Sequence, residues 1–372
     1  MEQEKQNTLT QEELEQWIQR AEEGDCEMQY QLGEYYYTGA KKDYRRALSY
    51  YLQAAEAGHA LAQRRAGEMY MSGKKIGKNV DEAIKWYTLA AEQGDIVAHY
   101  QLGECYWLGK KQDKNRAFDH YFAAAKGGCS LAQETIEKIC LHSKGINNER
   151  LNKALKWLKV IAEQGNTEMQ YKLGVIYSSG NIKDFTHAHE YYKMAAETGY
   201  APAQYELGKM YALKNHDEAK KWLTLAAEQG EKRASHNLAA LYYYKENNKE
   251  KSLYWATHAG ADTLYQLGEE FLIQKDIENS ELFFNRAAAD EHDYISLIAY
   301  IYETNGYIQK AFEWLMRGVE EGVDDAAFEI GRMYEEGSGV DKDISQAIHW
   351  YTKAAEQGDE EAKEALERLK NK

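Results

Sequence analysis

The chain has 372 residues, 44% of them apolar, with 30 tyrosines, a single proline (Pro202) and a formal net charge of −15. That charge argues against non-specific binding of nucleic acid or anionic membrane and favours basic partners. No apolar run approaches the ~18 residues needed to cross a bilayer, so no membrane insertion is expected.

In chain order, residues 1–10 lack the basic and apolar regions of a secretory signal and read as a disordered tail of a cytoplasmic protein. The four cysteines, Cys26, Cys105, Cys129 and Cys140, show no C-x-x-C pairing and read as reduced thiols. Thr10 and Glu13 form a capping box that opens the first helix. Beyond it one phrase recurs. "AIKWYTLAAEQGD" at 83–95 returns as "AIHWYTKAAEQGD" at 347–359. Weaker copies, marked by Gly24, Gly58, Gly94, Gly128, Gly165, Gly199, Gly230, Gly260, Gly322 and Gly358, lie 30 to 37 residues apart once a degenerate copy at 287–293 is included.

Each unit parses as two helices. Helix A carries Ala98, Leu102 and Tyr106 at i, i+4, i+8, and helix B carries Ala83, Tyr87 and Ala90 at i, i+4, i+7. Both are apolar stripes at helical period. Gly103 recurs inside helix A as Gly33, Gly67, Gly174, Gly208, Gly268 and Gly331. A mid-helix glycine costs about 1 kcal/mol against alanine, so close approach of a neighbouring helix is the expected reason. One such hairpin cannot bury its stripe alone, but stacked copies can. The expected fold is therefore all-α: an α-solenoid superhelix of about ten antiparallel helix–turn–helix repeats, forming one array over 11–372. Its central units, about 231–320, are shorter, with Ala239 and Ala299 at the glycine position. A capping helix is expected at about 359–370.

The pattern A-x-x-x-L-G-x-x-Y-x-x-G, followed by A-x-x-W-Y-x-x-A-A-x-x-G, resembles the Sel1-like repeat, a relative of the tetratricopeptide repeat. The wording is nearest at residues 326–358. The resemblance implies a superhelix with helices A lining its inner face and a role in assembling protein complexes. Some members of the family serve as bacterial immunity proteins, so an acidic solenoid neutralising a basic toxin is the alternative. Other, cysteine-rich members resemble β-lactamases, but this chain lacks their paired cysteines and that activity is not carried over.

Catalytic and metal signatures are weak. His187 and His189 beside Glu190 do not have the H-E-x-x-H spacing. The stretch "GKKIGKN" at 73–79 has the wrong spacing for a phosphate loop and no preceding strand. The chain is therefore expected to be no enzyme, and to take no cofactor and no metal.

Function then falls on positions not used for stacking. Two before the helix-A leucine, or its equivalent, stand Tyr30, Tyr100, Tyr171, Tyr205, Tyr265 and Phe328. Two after it stand Glu34, Glu68, Glu104 and Arg332, and five after it Tyr37, Met71 and Trp107. The three glutamates form an acidic ladder flanked by aromatics, the composition of a protein-recognition groove. The expected occupant is a basic segment of a partner protein. The A–B loops of the first three units carry Lys41, Lys42, Lys74, Lys75, Lys110 and Lys111, a basic strip that offers a second, anionic contact.

Overall fold

A computed structural model describes residues 10–39, 42–109, 112–142, 145–180 and 182–370. Lys41, Lys110 and Lys111 of the basic strip, and residues 1–9 of the expected tail, lie outside the described residues. Thr10 is described, and it closes the capping box with Glu13 at the start of α1 (Gln11–Glu22).

The described residues form 22 helices. Contacts divide the chain into two compact units, with the division after Tyr191. In the first unit α1 is followed by the hairpins α2 (Cys26–Thr38) with α3 (Tyr44–Glu56), α4 (Ala60–Ser72) with α5 (Val80–Glu92), and α6 (Ile96–Leu108) with α7 (Lys114–Lys126). Next come α8 (Ser130–His142), α9 (Asn148–Glu163) and α10 (Thr167–Ser179), and the division falls within α11 (Phe185–Glu197). The second unit continues with α12 (Ala201–Tyr211), α13 (His216–Glu228), α14 (Lys232–Tyr244), α15 (Lys249–Ala259), α16 (Ala261–Ile273) and α17 (Ile277–Asp290). It ends with α18 (Tyr294–Thr304), α19 (Ile308–Glu321), α20 (Ala326–Glu336), α21 (Ile344–Glu356) and α22 (Glu360–Lys370). The all-α class of repeated helical hairpins is the one expected. In the first unit, from α2 on, and in the second, from α12 on, even-numbered helices correspond to helix A and odd-numbered ones to helix B.

Three local devices recur at the turns between hairpins. Gly94 at φ +87° ends α5 in the left-handed region, where a side chain would be strained. The following Asp95 accepts the Ala98 amide at 2.8 Å and caps α6, satisfying one of the orphan donors of that helix. A buried glutamine on helix A then donates to a carbonyl near the end of the preceding helix B: Gln63 to Ala55 at 3.1 Å, Gln170 to Ala162 at 2.9 Å and Gln204 to Ala196 at 3.2 Å. Gln29 does the same for Ala21 of α1 at 2.8 Å, which gives α1 the place of a helix B.

The mid-helix glycines have a specific cause. A Cβ on Gly33, Gly67 or Gly103 would stand 2.4, 2.6 or 2.5 Å from the ring of Tyr51, Tyr87 or Tyr121 on the paired helix B. Those rings are at most 1% exposed. Gly268 admits Phe284 in the same way, and Gly331 admits Tyr351. Where the glycine is missing the ring is missing too. Ala239 is matched by Ala256 and Ala299 by Leu315, each pair within one buried cluster. In α8, Glu137 takes the glycine position and Leu158 of α9 the tyrosine position. Gly208 departs from the rule: it is kept opposite Leu223, whose side chain would lie 2.7 Å from an added Cβ.

The cysteines follow the packing. Burial pushes the Cys105 thiol up to about 11 and the Cys140 thiol up to about 12, while Cys26 and Cys129 are only partly buried. Because the thiolate is the reactive form, maleimide labelling of the folded protein at pH 7.5 is expected to modify Cys26 and Cys129 first. Cys105 and Cys140 should react only on denaturation, as peptide mass mapping would show.

Candidate interaction surface

The helix-A side chains singled out as an acidic, aromatic ladder are organised by the buried helix-B rings beneath them. Tyr51 lies between Tyr30 and Tyr37, with ring centroids 6.0 and 6.5 Å away. Tyr121 lies between Tyr100 and Trp107, at 5.7 and 6.3 Å. The Tyr51 hydroxyl donates to Glu34 at 2.8 Å and the Tyr121 hydroxyl to Glu104 at 2.7 Å. The glutamate after the glycine therefore receives the phenol that the glycine admits.

The ladder is not uniformly anionic, contrary to expectation. Glu34 also accepts from Arg65 at 2.7 Å, and Glu68 accepts from both Arg64 and Arg65 at 2.9 Å. Arg64 continues to Asp95 at 3.0 Å. Two arginines of α4 thus offset much of the charge of the first two rungs. Among the described residues no cation lies within ion-pair distance of Glu104, whose contacts are phenolic. The arginines were in the sequence, but reading the ladder position by position hid that Arg65 reaches the rung of the preceding repeat.

The other expected groove residues separate into four groups. Tyr205 is a correction: it is 9% exposed, with Arg233 and Lys209 over its ring at 4.5 and 5.0 Å, so it does not line an open surface. Arg332 is held by Glu303, Glu329 and Glu336 at 2.8 to 3.1 Å. Tyr265 and Phe328 are half-buried on Phe284 and Tyr351, with centroids 5.7 and 5.5 Å away, and Tyr171 is half-buried. Met71 and Glu104, from adjacent repeats, line a cleft of about 280 Å³ together with Lys78, Gln101 and Leu108.

What the sequence reading missed is apolar. One turn before the "two before" position, helix A carries Leu61, Val97 and Leu131 in three consecutive repeats, exposed by 42%, 43% and 57%. Leu108, on the same face as Val97 at i+11, is 71% exposed. Exposed apolar side chains that adjoin one another mark interaction sites more often than isolated ones do, and stacking of repeats sets a shared position in one row. The repeat register held the signal: these residues share one position, with spacings of 36 and 34 residues.

The two weak chemical motifs are structural. His187 bonds Asp184 at 2.7 Å and stacks on Tyr177. In the "GKKIGKN" loop, Asn79 accepts the Glu82 amide at 3.2 Å and so occupies the start of α5. Among the described residues, no group of three or more His, Cys, Asp or Glu side chains could hold a metal ion, and no helix is long and apolar enough to cross a membrane.

The stacked hairpins, with paired glycine and aromatic positions, define a helical-repeat protein. Seven stretches match the Sel1 repeat, at residues 26–59, 60–95, 96–129, 141–166, 167–200, 201–231 and 324–359. They cover more than half of the chain, which belongs to the Sel1 repeat family. Most of α8, with Glu137 in place of glycine, and residues 232–323 fall outside the matches. Among solved structures, a protective antigen of uropathogenic Escherichia coli described as displaying an SLR fold is 26% identical. It covers 97% of this chain and 82% of its own, with a TM-score of 0.43. A Sel1 repeat protein from Oxalobacter formigenes is 23% identical over 96% of this chain and 90% of its own, with a TM-score of 0.37. An immunity protein from Pseudomonas aeruginosa is 21% identical over 54% of this chain and 80% of its own, with a TM-score of 0.28. The chitin synthase regulator SKT5 of Saccharomyces cerevisiae is 38% identical over 63 residues, which is 17% of this chain and 9% of that protein.

Proposed function

We propose that the protein is a non-catalytic interaction scaffold that holds a segment of a partner protein against the helix-A face of α4, α6 and α8. Sel1 repeat proteins usually mediate protein–protein interaction. The observation that carries the reading is the exposed apolar position repeated as Leu61, Val97 and Leu131, with Leu108 beside the Met71–Glu104 cleft. The half-exposed edges of Tyr100 and Trp107 extend this surface, and aromatic side chains of this kind anchor partners at low entropic cost. A basic segment fits the net charge of −15 and the Glu104 carboxylate, which has phenol donors and, among the described residues, no cation within ion-pair distance, although Lys78 also lines its cleft.

Charge reversal of Glu34 or Glu68 is a poor test, because it would also strip Tyr51, Arg64 or Arg65 of a partner. Val97 and Leu108 are exposed, and substituting them leaves the packing intact. Selection of 12-residue peptides from a random display library is expected to enrich sequences that combine Lys or Arg with apolar residues. Val97→Arg with Leu108→Arg should weaken the selected peptides by roughly tenfold or more, with an unchanged circular dichroism spectrum. Equal affinity of both proteins for the selected peptides would remove the site from this face.

A further inference from the structure

At the start of the first unit, α1 and the α2–α3 turn enclose a cleft of about 1240 Å³. It is distinct from the helix-A face just described. Four cations line it: Lys42, Arg45 and Arg46 from the turn and first residues of α3, and Lys75 from the next A–B loop. Among the described residues, Lys42, Arg45 and Lys75 make no ion pair, and Arg46 has only the long 3.5 Å contact with Asp43. Asp43 is itself engaged, since its Oδ1 accepts the Arg45 and Arg46 amides at 3.1 Å as the cap of α3. The cations are held over aromatic rings rather than over carboxylates: Arg46 lies 5.6 Å from the Tyr36 centroid and Lys75 lies 5.9 Å from that of Tyr44.

Such a surface is unusual on a chain of net charge −15. Uncompensated cations in a cleft attract anions, and neighbouring low-dielectric walls focus the field. The remaining walls select among anions. Leu14 and Ile18 of α1 and the ring of Tyr35 supply apolar contact, and Glu15 and Asp43 are the acidic residues of the lining. A polyphosphate chain would gain nothing from the apolar wall. A peptide whose carboxylates alternate with apolar or aromatic side chains would use both kinds of wall.

We infer that the cleft between α1 and the first A–B turn binds a short acidic peptide segment, with carboxylates on Lys42, Arg45, Arg46 and Lys75 and an apolar side chain against Leu14 and Ile18. The protein would then carry two contacts of opposite charge preference, suited to bridging two partners or two segments of one partner.

The test uses the full chain and three fluorescein-labelled probes. These are the peptide Glu-Asp-Phe-Glu-Asp-Leu repeated twice, a peptide of the same length with Ser in place of Phe and Leu, and a single-stranded DNA oligonucleotide. Fluorescence anisotropy is expected to show saturable binding of the first peptide. Its affinity should fall with added salt, as exposed charges require, and should drop by roughly tenfold or more in Arg45→Glu/Lys75→Glu. Both substituted residues are exposed, and circular dichroism would verify that the variant is folded. Weaker binding of the serine peptide would support the apolar wall. Three results would overturn the inference: no saturation by the first peptide, equal affinity of the double variant for it, or DNA binding through Arg45 and Lys75 in preference to either peptide.

Discussion

Gly67→Ala is expected to destabilise the protein by about 1–3 kcal/mol through overpacking. In an exposed helix the same change would stabilise by about 1 kcal/mol. The added Cβ would lie 2.6 Å from the Tyr87 ring, and that ring is 1% exposed with nowhere to go. The cause is the pair rather than the position. Tyr87→Leu alone should cost stability by leaving a cavity, but Gly67→Ala should cost less beside Tyr87→Leu than beside the wild-type ring. The chain already contains such combinations in Ala239 with Ala256 and Ala299 with Leu315. Urea unfolding of the two single variants and the double variant would measure a coupling energy of about 1 kcal/mol or more. Stabilisation by Gly67→Ala alone would mean that the ring does not sit where described.

The second large effect is cooperative unfolding in mild alkali. Burial, reinforced by Glu34, Glu68, Glu104 or Glu335, pushes the phenols of Tyr51, Tyr87, Tyr121 and Tyr351 well above their ordinary value. Burial is also the main cause at Tyr302. In the unfolded chain a tyrosine ionises near pH ~10. Below that value both states keep the proton and the stabilisation is fully present. As pH rises above it, the unfolded chain loses protons that the folded chain retains. Each such phenol then removes about 1.4 kcal/mol of stability per pH unit. Several acting together should unfold the protein between about pH 10 and 12. Exposed tyrosines such as Tyr254 and Tyr300 should ionise first, near pH ~10, and the remaining rise in phenolate absorbance should coincide with the loss of far-ultraviolet circular dichroism. Phenolate absorbance that rises fully while helicity persists would show the rings to be accessible.

The fold was legible because its signals are local. Helical period, the glycine after helix B and the capping residues all lie within one or two turns of each other, and repetition multiplied them. The mid-helix glycine was legible as a place of close approach, although not as the seat of a particular ring, because Gly67 and Tyr87 stand 20 residues apart on different helices. The candidate surface was less legible for the same reason. Glu34 and Glu104 look like free acids on a helix wheel, yet their partners Tyr51 and Tyr121 lie 17 residues on. Arg65 reaches Glu34 across a repeat boundary, over a separation of 31 residues. Tyr205 looked like Tyr30 and Tyr100, but Arg233 on α14 covers it. Leu61, Val97 and Leu131 were passed over because an apolar residue near a helix start is normally counted as core, and only the packing leaves them outside.

The most direct test of the scaffold reading is site-specific photo-crosslinking in the native host. A photoreactive amino acid would be placed at Val97 or at Leu108, and for comparison at Val160, which is 51% exposed on α9, away from the helix-A face. The account predicts a discrete adduct from 97 and 108, with the same protein and through a segment that combines basic and apolar residues, and none from 160. Adducts formed from 160 but not from 97 or 108 would contradict it.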